Sequence, residues 1–235
     1  MITSFYTAGV GTAQTQKGMD VLANNIANVN TTGFKTQKNA FSDLLYTNMK
    51  YEGDSLQVGH GARLAKADTL FDVGAMNTTG RELDFALTVE NAFFGVISDG
   101  EMKFTRDGNF SLSIQQDGTF LLANSAGEPV VGVNGGTITV DPENMDNIAS
   151  QIGVFAFDNI DGLERAGESL YSATERSGEA YAIDASSLKQ RMLENSNVDY
   201  ADQMTEVIKT QRAFQFNTRM VQISDEIMQT INNLQ

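Results

Sequence analysis

Residues 21–35 read VLANNIANVNTTGFK, an apolar helical segment that runs into asparagine at positions 24, 25, 28 and 30. Asparagine is unfavourable inside a helix, because its side-chain amide competes for backbone hydrogen bonds. Asn28 or Asn30 can end the helix by adopting a left-handed conformation or by bonding free backbone groups, and the following Thr-Thr-Gly completes a turn. One or two asparagines suffice for this ending. Asn24 and Asn25 precede it and require another explanation.

Composition excludes several classes of function. The chain has 235 residues and a formal net charge of -14, which would repel the phosphates of a nucleic acid. It has no cysteine, so disulfides, thiolate metal sites and cysteine nucleophiles are excluded. No apolar run reaches the roughly 18 residues of a membrane-spanning helix. The first residues lack the basic and apolar regions of a cleavable secretory signal, and we expect none.

Hydrophobic spacing predicts a long helix at each end of the chain. Residues 3–28 carry side chains at spacings of three and four, although this seam is thin and partly polar. Residues 199–234 carry two apolar stripes on different faces. The first stripe consists of Tyr200, Met204, Val207, Gln211, Phe214, Thr218, Val221 and Met228. The second consists of Phe216, Met220, Ile223, Ile227, Ile231 and Leu234. A helix with two apolar faces requires neighbours on two sides, either in a globular core or in an assembly.

The centre of the chain changes to the alternating pattern of β-strands. Apolar and polar side chains alternate in residues 110–114. Phe120 and Leu122 carry the apolar positions of the next run, at 120–122. Residues 51–65 are interpreted as a connector, and 141–151 and 172–187 as loops. Asp-Gly pairs, which suit tight hairpin turns, occur at 99–100, 107–108, 117–118 and 161–162. The central region is therefore predicted to be mostly antiparallel β.

These patterns predict an α+β fold. The terminal α-helices are expected to pack as a helical, coiled-coil-like core domain, and the middle to form an inserted, mainly antiparallel β domain. Terminal helices can meet only if the segment between them folds separately. The predicted limits are 1–50 and 190–235 for the discontinuous helical domain, and 51–189 for a connector plus a mainly β outer domain.

No catalytic, cofactor-binding or metal-binding residues are predicted. The single histidine, His60, has no partner at ligand spacing, and a lone loop histidine is usually a solvated side chain. Gly9-Val10-Gly11 begins like a dinucleotide-binding loop, but no strand precedes it. The acidic residues between 90 and 107 are close in sequence, yet nothing selects a catalytic pair among them. The enzyme class therefore has no positive feature in its favour.

Four sequence blocks resemble the bacterial flagellar rod and hook family. The first block is similar to the family's amino-terminal pattern ANN-I/L-AN-x-x-T-x-GFK and is the most specific. Its matching residues are Ala23, Asn24, Asn25, Ile26, Ala27, Asn28, Thr31, Gly33, Phe34 and Lys35. The other blocks resemble Y-T-R-x-G-x-F at 104–110, L-E-x-S-N-V-D at 193–199 and Q-R-A-Y/F at 211–214. Because the blocks occur in the family's order at both ends and in the centre, the chain is identified as a member of this family.

The resemblance implies a structural subunit of the flagellar basal-body rod without catalytic activity. Proteins of this family are exported through the flagellar channel and polymerise into an axial drive shaft that transmits torque to the hook. The implied partners are further copies of the chain, other rod and hook proteins, the ring proteins around the rod and the flagellar export apparatus. The implied location is the basal body, in the cell envelope at the level of the periplasm. The distal rod is favoured, and a proximal-rod or hook-related role is the alternative.

The resemblance also indicates residues for assembly. The predicted assembly motif consists of Asn24, Asn25, Asn28, Thr31, Gly33, Phe34, Lys35, Ser196, Asn197 and Val198. One stripe of the carboxy-terminal helix would meet the amino-terminal helix of the same molecule, and the other would meet neighbouring subunits. The predicted polymer-packing residues are Met204, Val207, Gln211, Phe214, Met220, Ile227 and Ile231. At least one of Asn24 and Asn25 is expected to reach a neighbouring chain, where an amide can fix the register of apolar packing.

Two classes outside the family stay as remote alternatives. A secreted cell-wall-active enzyme would require a cleft with paired Asp or Glu side chains. A soluble, monomeric binding module would remain dispersed at concentrations at which an axial protein forms tubes or protofilaments.

Overall fold

Long helices are present at both ends of the chain, as the hydrophobic spacing predicts. The structure is a computed structural model that describes residues 3–51, 54–115, 118–141 and 148–234. Helices α1, α2 and α3 span Thr3–Ala27, Ile148–Gln151 and Tyr200–Asn233. Asp199 caps α3, because its carboxylate accepts hydrogen bonds from the backbone N–H groups of the second and third helical residues. None of the described helices is long and apolar enough to cross a membrane.

Short strands fill most of the chain between α1 and α3. The first four are β1 Gln37–Asp43, β2 Thr47–Tyr51, β3 Asp54–Val58 and β4 Ala62–Thr69. The next seven are β5 Met76–Thr78, β6 Phe85–Leu87, β7 Ala92–Ser98, β8 Glu101–Thr105, β9 Ser111–Ile114, β10 Phe120–Ala123 and β11 Thr139–Val140. The last six are β12 Val154–Ala156, β13 Glu164–Gly167, β14 Leu170–Ser172, β15 Tyr181–Ile183, β16 Leu188–Gln190 and β17 Met192–Glu194. Two 3₁₀ turns span Ile160–Gly162 and Ala185–Ser187. The fold is therefore α+β.

The chain divides into two units. The helical unit consists of Met1–Ala27, Gln37–Asp68 and Asp199–Gln235. The β unit consists of Asn28–Thr36 and Thr69–Val198. The predicted limits differ from these units at three places, because residues 51–68 belong with the helices, whereas residues 28–36 and 190–198 belong with the β unit.

The two long helices of the helical unit are antiparallel. Asn25, near the end of α1, donates a hydrogen bond to Gln203, near the start of α3. Gly11, earlier in α1, lies against Asn217, later in α3, where an added Cβ would lie 2.8 Å from the Asn217 amide nitrogen. Two ribbons complete this unit, since β1 pairs with β4 and β2 pairs with β3. The chain crosses between the units four times, and the fourth crossing leads into α3.

The face of α3 towards α1 has a regular spacing. One row of buried or half-buried residues recurs at alternating steps of four and three, and it consists of Gln203, Val207, Thr210, Phe214, Asn217, Val221 and Ser224. A row with the same steps on α1 consists of Ala8, Gly11, Thr15, Gly18, Leu22 and Asn25, and further half-buried residues lie beside both rows. Steps of four and three keep side chains on one helix face. The α1 side is built mostly from small residues, which explains why its sequence pattern is weak.

The β unit is antiparallel around a six-stranded sheet of order β13-β14-β8-β7-β12-β15. A three-stranded sheet, β11-β10-β9, and the pairs β16-β6 and β17-β5 accompany it. Central strand β7 is buried on both faces: Phe94 and Val96 pack into one apolar core, and Phe93 packs into a second, aromatic core. Such burial explains why β7 has a continuous apolar run instead of alternation.

Three local predictions are wrong. The segment 51–65 is not a connector, because it contains β3 and the start of β4, and the segments 141–151 and 172–187 contain α2 and β15. Among the described Asp-Gly pairs, only Asp99-Gly100 closes a hairpin, between β7 and β8, and both residues have positive φ. Asp107-Gly108 and Asp161-Gly162 have other roles, and Asp117 lies outside the described residues.

Candidate functional site

Three of the four sequence blocks meet in the β unit. Lys35 comes from the first block, Arg106 from the second, and Glu194 and Asn197 from the third. These side chains, together with Gly33, form what we call the junction cluster. The cluster links the segment that follows α1, the loop after β8 and the segment that precedes α3.

The carboxylate of Glu194 is the centre of the junction cluster. Its Oε1 atom accepts from Lys35 Nζ at 2.6 Å and from the Gly74 backbone N–H at 2.8 Å. Its Oε2 atom accepts from Arg106 Nε at 3.0 Å. The side chains of Glu194, Lys35 and Arg106 are all completely buried. A buried carboxylate with two cationic partners and a backbone donor has its hydrogen-bonding capacity filled.

Arg106 uses its remaining donors on the backbone. Its Nη1 atom donates to the carbonyl oxygens of Ala92, at 2.6 Å, and Val89. Its guanidinium group also lies 5.9 Å from the centre of the Phe93 ring. These contacts attach the loop after β8 to the start of β7, so a planar five-donor group is needed here and a lysine would leave acceptors unpaired.

Burial lowers the pKa of Lys35 below its ordinary value of 10.5, and the nearby charge of Arg106 lowers it further. Attraction to Glu194 and a hydrogen bond with it oppose this effect. A second hydrogen bond runs from Lys35 Nζ to the Asp72 carbonyl oxygen at 2.6 Å. Among the described residues, Glu194 is the acidic group at ion-pair distance from Lys35, and the charge of Asp72 also raises the pKa of Lys35, so both carboxylates favour its charged form.

Gly33 permits the close approach of the first and second blocks. Its φ is +64°, a conformation that favours glycine. A Cβ at this position would overlap the backbone of Arg106 and Asp107. Beside it, Thr32 Oγ1 donates to Asp107 Oδ1 at 2.7 Å, and the Asn109 N–H donates to the same oxygen at 3.0 Å. Burial raises the pKa of Asp107, while these two hydrogen bonds act against the increase.

Asn197 holds three chain segments together. Its Oδ1 atom accepts from the N–H and the hydroxyl of Thr36, at 2.7 and 2.8 Å. Its Nδ2 atom donates to the carbonyl oxygens of Leu70, at 2.9 Å, and Asp72. An amide is the one short side chain that can donate and accept in this way. Asn197 therefore ties the segments at Thr36 and Leu70 to the segment that precedes α3, all within the β unit.

Asn25 has a corresponding role in the helical unit. Its side chain is buried and exchanges two hydrogen bonds with the Gln37 backbone, donating at 2.8 Å and accepting at 3.0 Å. Its amide also donates to Gln203 Oε1 at 2.9 Å. These contacts lie within one chain and fix the end of α1 to β1 and α3. Asn24 is exposed, so of the two it is the one that can reach a neighbouring chain.

The other predicted motif residues have local partners. Asn28 accepts a hydrogen bond from the Thr31 hydroxyl at 3.1 Å, which closes the turn after α1. The buried Phe34 ring lies 5.0 Å from the Arg165 guanidinium carbon. The Ser196 hydroxyl accepts from the N–H of Val198, whose side chain is buried. Most of this motif is therefore in contact with its own chain.

The predicted packing residues of α3 divide between two environments. Val207 and Phe214 are half-buried on the face towards α1. The exposed members are Met204, Gln211, Met220, Ile227 and Ile231. The whole second stripe is exposed and consists of Phe216, Met220, Ile223, Ile227, Ile231 and Leu234, with Phe216 72% and Leu234 83% accessible.

Sequence reasoning missed Arg106, Glu194 and Gln203 as site residues. Arg106 and Glu194 lie inside the quoted sequence blocks, which could have drawn attention to them. The sequence does not show that these two residues, 88 positions apart, form a pair. The lone histidine, His60, makes a 2.6 Å hydrogen bond with Thr47. All charged groups of the junction cluster are used to join chain segments, and the apolar surface lies on α3. The arrangement is that of a structural subunit with terminal helices available for assembly.

Comparisons with known proteins agree with this class. Residues 5–35 match the family described as flagella basal body rod protein, and residues 189–234 match the flagellar basal body rod FlgEFG protein C-terminal family. The chain is 35% identical to the flagellar basal-body rod protein FlgG of Bacillus subtilis, over 100% of this chain and 99% of the relative. It is 32% identical to FlgG of Borreliella burgdorferi over 100% and 99% of the two chains. It is 27% identical to the flagellar hook-basal body complex protein FlhP of Bacillus subtilis over 100% of both chains.

The chain belongs to the flagellar basal-body rod protein family. It is a structural protein of the flagellar basal body, and its relatives favour the distal rod.

Proposed function

We propose that this chain polymerises into the distal part of the flagellar rod and transmits torque along it to the hook. The observation that carries this proposal is the exposed second stripe of α3. Large apolar side chains in a continuous row on a helix indicate an interaction surface, because water is a poor solvent for them. A different face of α3 packs against α1, so the exposed stripe is available to another molecule.

The two faces of α3 suit a helical polymer. An open polymer requires contacts between different surface patches on successive subunits, and two distinct faces provide them. The alternating steps of four and three on α1 and α3 favour coiled-coil-like packing, with the stripe of one subunit against helices of the next. The segments Met1–Ala27 and Asp199–Gln235 would then act as the polymerisation domain, and the β unit would face outwards.

The junction cluster suits a subunit under mechanical load. Glu194 and Asn197 attach the segment before α3 to the segment after α1, so a force on either helix reaches the β unit through several hydrogen bonds in parallel. A rod rotating under torque requires such cross-linking near the helix ends. The proposed role of Asn24 is an exposed contact to a neighbouring subunit.

The proposed partners are further copies of the chain, other rod and hook proteins, the surrounding ring proteins and the flagellar export apparatus. We propose export through the flagellar channel and assembly in the periplasmic part of the basal body. An α3 with an exposed apolar stripe is consistent with a subunit that completes its burial only on reaching the growing rod.

Purified protein at increasing concentration tests polymerisation, with sedimentation and electron microscopy as readouts. The adjacent substitutions Ile223→Asp and Gln222→Asp provide a matched pair, because both positions are exposed and only Ile223 belongs to the stripe. We expect tubes or protofilaments for the unmodified chain and for Gln222→Asp, and dispersed particles for Ile223→Asp. Dispersed particles for all three would contradict the proposal.

A hook-related or proximal-rod role is the second candidate, favoured by the full-length similarity to FlhP. A deletion strain separates the two. Basal bodies that end in a short rod would place the chain distally, whereas basal bodies without a rod, or with a complete rod and no hook, would favour the second candidate.

A further inference from the structure

A cleft on the outer surface of α3 contains two arginines that have no partner among the described residues. Among the described residues it is lined by Arg212, Gln215, Phe216 and Arg219, and its volume is about 400 Å³. Neither arginine makes an ion pair or a hydrogen bond with any described residue. By contrast, Lys209 on the same helix is paired with Glu206 at 2.6 Å. Two unpaired cations around an exposed aromatic ring form a surface for a carboxylate with apolar neighbours.

The same face of α3 carries an acidic residue farther along. Arg212, Arg219 and Glu226 are spaced by seven residues, which is two helical turns, so they lie in one line on the helix surface. Glu226 is exposed and has no ion-pair partner among the described residues. A spacing of seven residues corresponds to about 10 Å along the axis, whereas side chains on one helix meet at three or four residues. Glu226 therefore does not reach Arg219 of its own helix.

We propose that the cleft of Arg212, Phe216 and Arg219 receives the Glu226 carboxylate of a second copy of this chain. The inference rests on the proposed function, because it assumes that copies assemble through the exposed face of α3. A neighbouring parallel helix, advanced along the axis by between one and two heptads, brings its Glu226 beside the two arginines. Charge complementarity identifies the occupant as a second copy: the cleft is basic in a chain with a net charge of -14, and the acidic group follows it along the same row.

Apolar side chains around the pair would strengthen it. Phe216 lies within the cleft, and Ile223 lies between Arg219 and Glu226 on the same side of α3. When these side chains are covered by the neighbour, water is removed from around the ion pair and its attraction increases. The apolar stripe would then provide affinity, while the arginines and Glu226 would set the axial offset between subunits.

Charge reversal with rescue tests the proposal. The double variant Arg212→Glu/Arg219→Glu places acid against acid, and the single variant Glu226→Arg places base against base. When the two variants are mixed, every contact between unlike copies again joins opposite charges. A matched control is Lys17→Glu/Lys38→Glu, which changes the net charge by the same amount at exposed positions of the helical unit away from the cleft. Circular dichroism of each variant checks that the helices are retained.

The readout is the critical concentration for filament formation by the full-length chain. We expect an increase of roughly ten- to a hundred-fold for each variant alone, no comparable change for the lysine control, and recovery in the mixture to within a few-fold of the unmodified chain. If Arg212→Glu/Arg219→Glu assembles like the unmodified chain, the cleft does not bind a second copy, its ligand is another protein, and the inference is overturned. If the critical concentration of the mixture is no lower than that of each variant alone, the assignment of Glu226 as the partner of the cleft is overturned. If the unmodified chain forms no filaments, the proposed function itself fails.

Discussion

Lys35 Nζ and Glu194 Oε1 are 2.6 Å apart, although 159 residues separate them in the chain and neither side chain is exposed to solvent. Arg106 shares the same carboxylate. A buried ion cluster gains attraction but loses the hydration of every charge, so its net contribution to stability is small. Removing one member of the cluster is strongly destabilising, because the remaining charges stay buried without an opposite charge.

Replacing Glu194 with glutamine should destabilise the β unit strongly. The variant keeps the shape of the side chain but leaves Lys35 and Arg106 without a counter-charge, and we expect a loss of about 3–5 kcal/mol in the free energy of unfolding. Urea denaturation measures this loss. The matched control is Glu82→Gln, which removes an exposed ion pair with Arg191 and should change stability by less than about 1 kcal/mol. Similar values for the two variants would contradict the assigned role of the cluster.

Replacing Gly33 with alanine should destabilise the chain by more than positive φ alone explains. Gly80 provides the comparison, because its φ is +77° and an added Cβ would meet nothing within 4 Å. For Gly80→Ala we expect a loss of roughly 1–2 kcal/mol from backbone strain. For Gly33→Ala the overlap with the Arg106 backbone adds to this strain, so its melting temperature should be clearly lower. Equal melting temperatures would show that the first and second blocks can separate without penalty.

The two asparagines at the end of α1 should differ in their effects. Asn25→Leu leaves hydrogen-bonding groups of Gln37 and Gln203 without their partner, and we expect the helical unit to lose roughly 2–4 kcal/mol while the β unit stays folded. Asn24→Leu should reduce stability less than Asn25→Leu, because Asn24 is exposed, and it should alter assembly and motility. Hydrogen exchange, resolved by segment, reports the stability of α3, and sedimentation reports assembly. Normal motility of both variants would refute an assembly role for this segment.

Asp107 should make stability depend on pH in the acidic range. Burial raises the pKa of its carboxyl group in the folded protein above the ordinary value of 3.8, so the folded state holds this proton more tightly than the unfolded state. Its contribution to stability is therefore greatest below pH 3.8 and decreases as the pH rises through the folded-state pKa.

The Asp107→Asn variant tests this dependence, because its side-chain oxygen can still accept from Thr32 and Asn109. We expect the stability of Asp107→Asn relative to the unmodified chain to increase as the pH rises from below 3.8 to neutrality. Chemical denaturation at a series of pH values measures the difference. Asp99→Asn is the control, because the Asp99 side chain is 91% exposed. The difference in stability between Asp99→Asn and the unmodified chain should vary less with pH than the difference for Asp107→Asn. A flat profile for Asp107→Asn would contradict the predicted direction.

The sequence predicted the parts of this fold that depend on local periodicity. The helices at 3–27 and 200–233 follow from residue spacing, and so do the two faces of α3, although the spacing did not show which face packs against α1. The strands at 51–65 were missed because each belongs to a two-stranded ribbon, and a ribbon does not require the alternation that a sheet with one buried face imposes. Periodicity therefore fails where an element is not half-buried.

The sequence alone could not predict which side chains, far apart along the chain, form pairs in the folded protein. Thirty acidic residues could in principle neutralise Lys35, and only the folded chain selects Glu194. The same holds for Asn25, because the sequence predicted only that at least one of Asn24 and Asn25 reaches a neighbouring chain and did not say which. Its actual partners, Gln37 and Gln203, are brought together by the packing of α1, β1 and α3.

The segments that begin and end the β unit run side by side. The Gly33 N–H donates to the Glu194 carbonyl oxygen at 2.8 Å, and the Asn197 N–H donates to the Phe34 carbonyl oxygen at 3.4 Å. Because these two hydrogen bonds join the segments directly, foreign sequence placed in an exposed turn such as residues 133–137 should leave the separation of the two segments unchanged. The fold therefore offers a scaffold for displaying peptides along a filament at a fixed repeat.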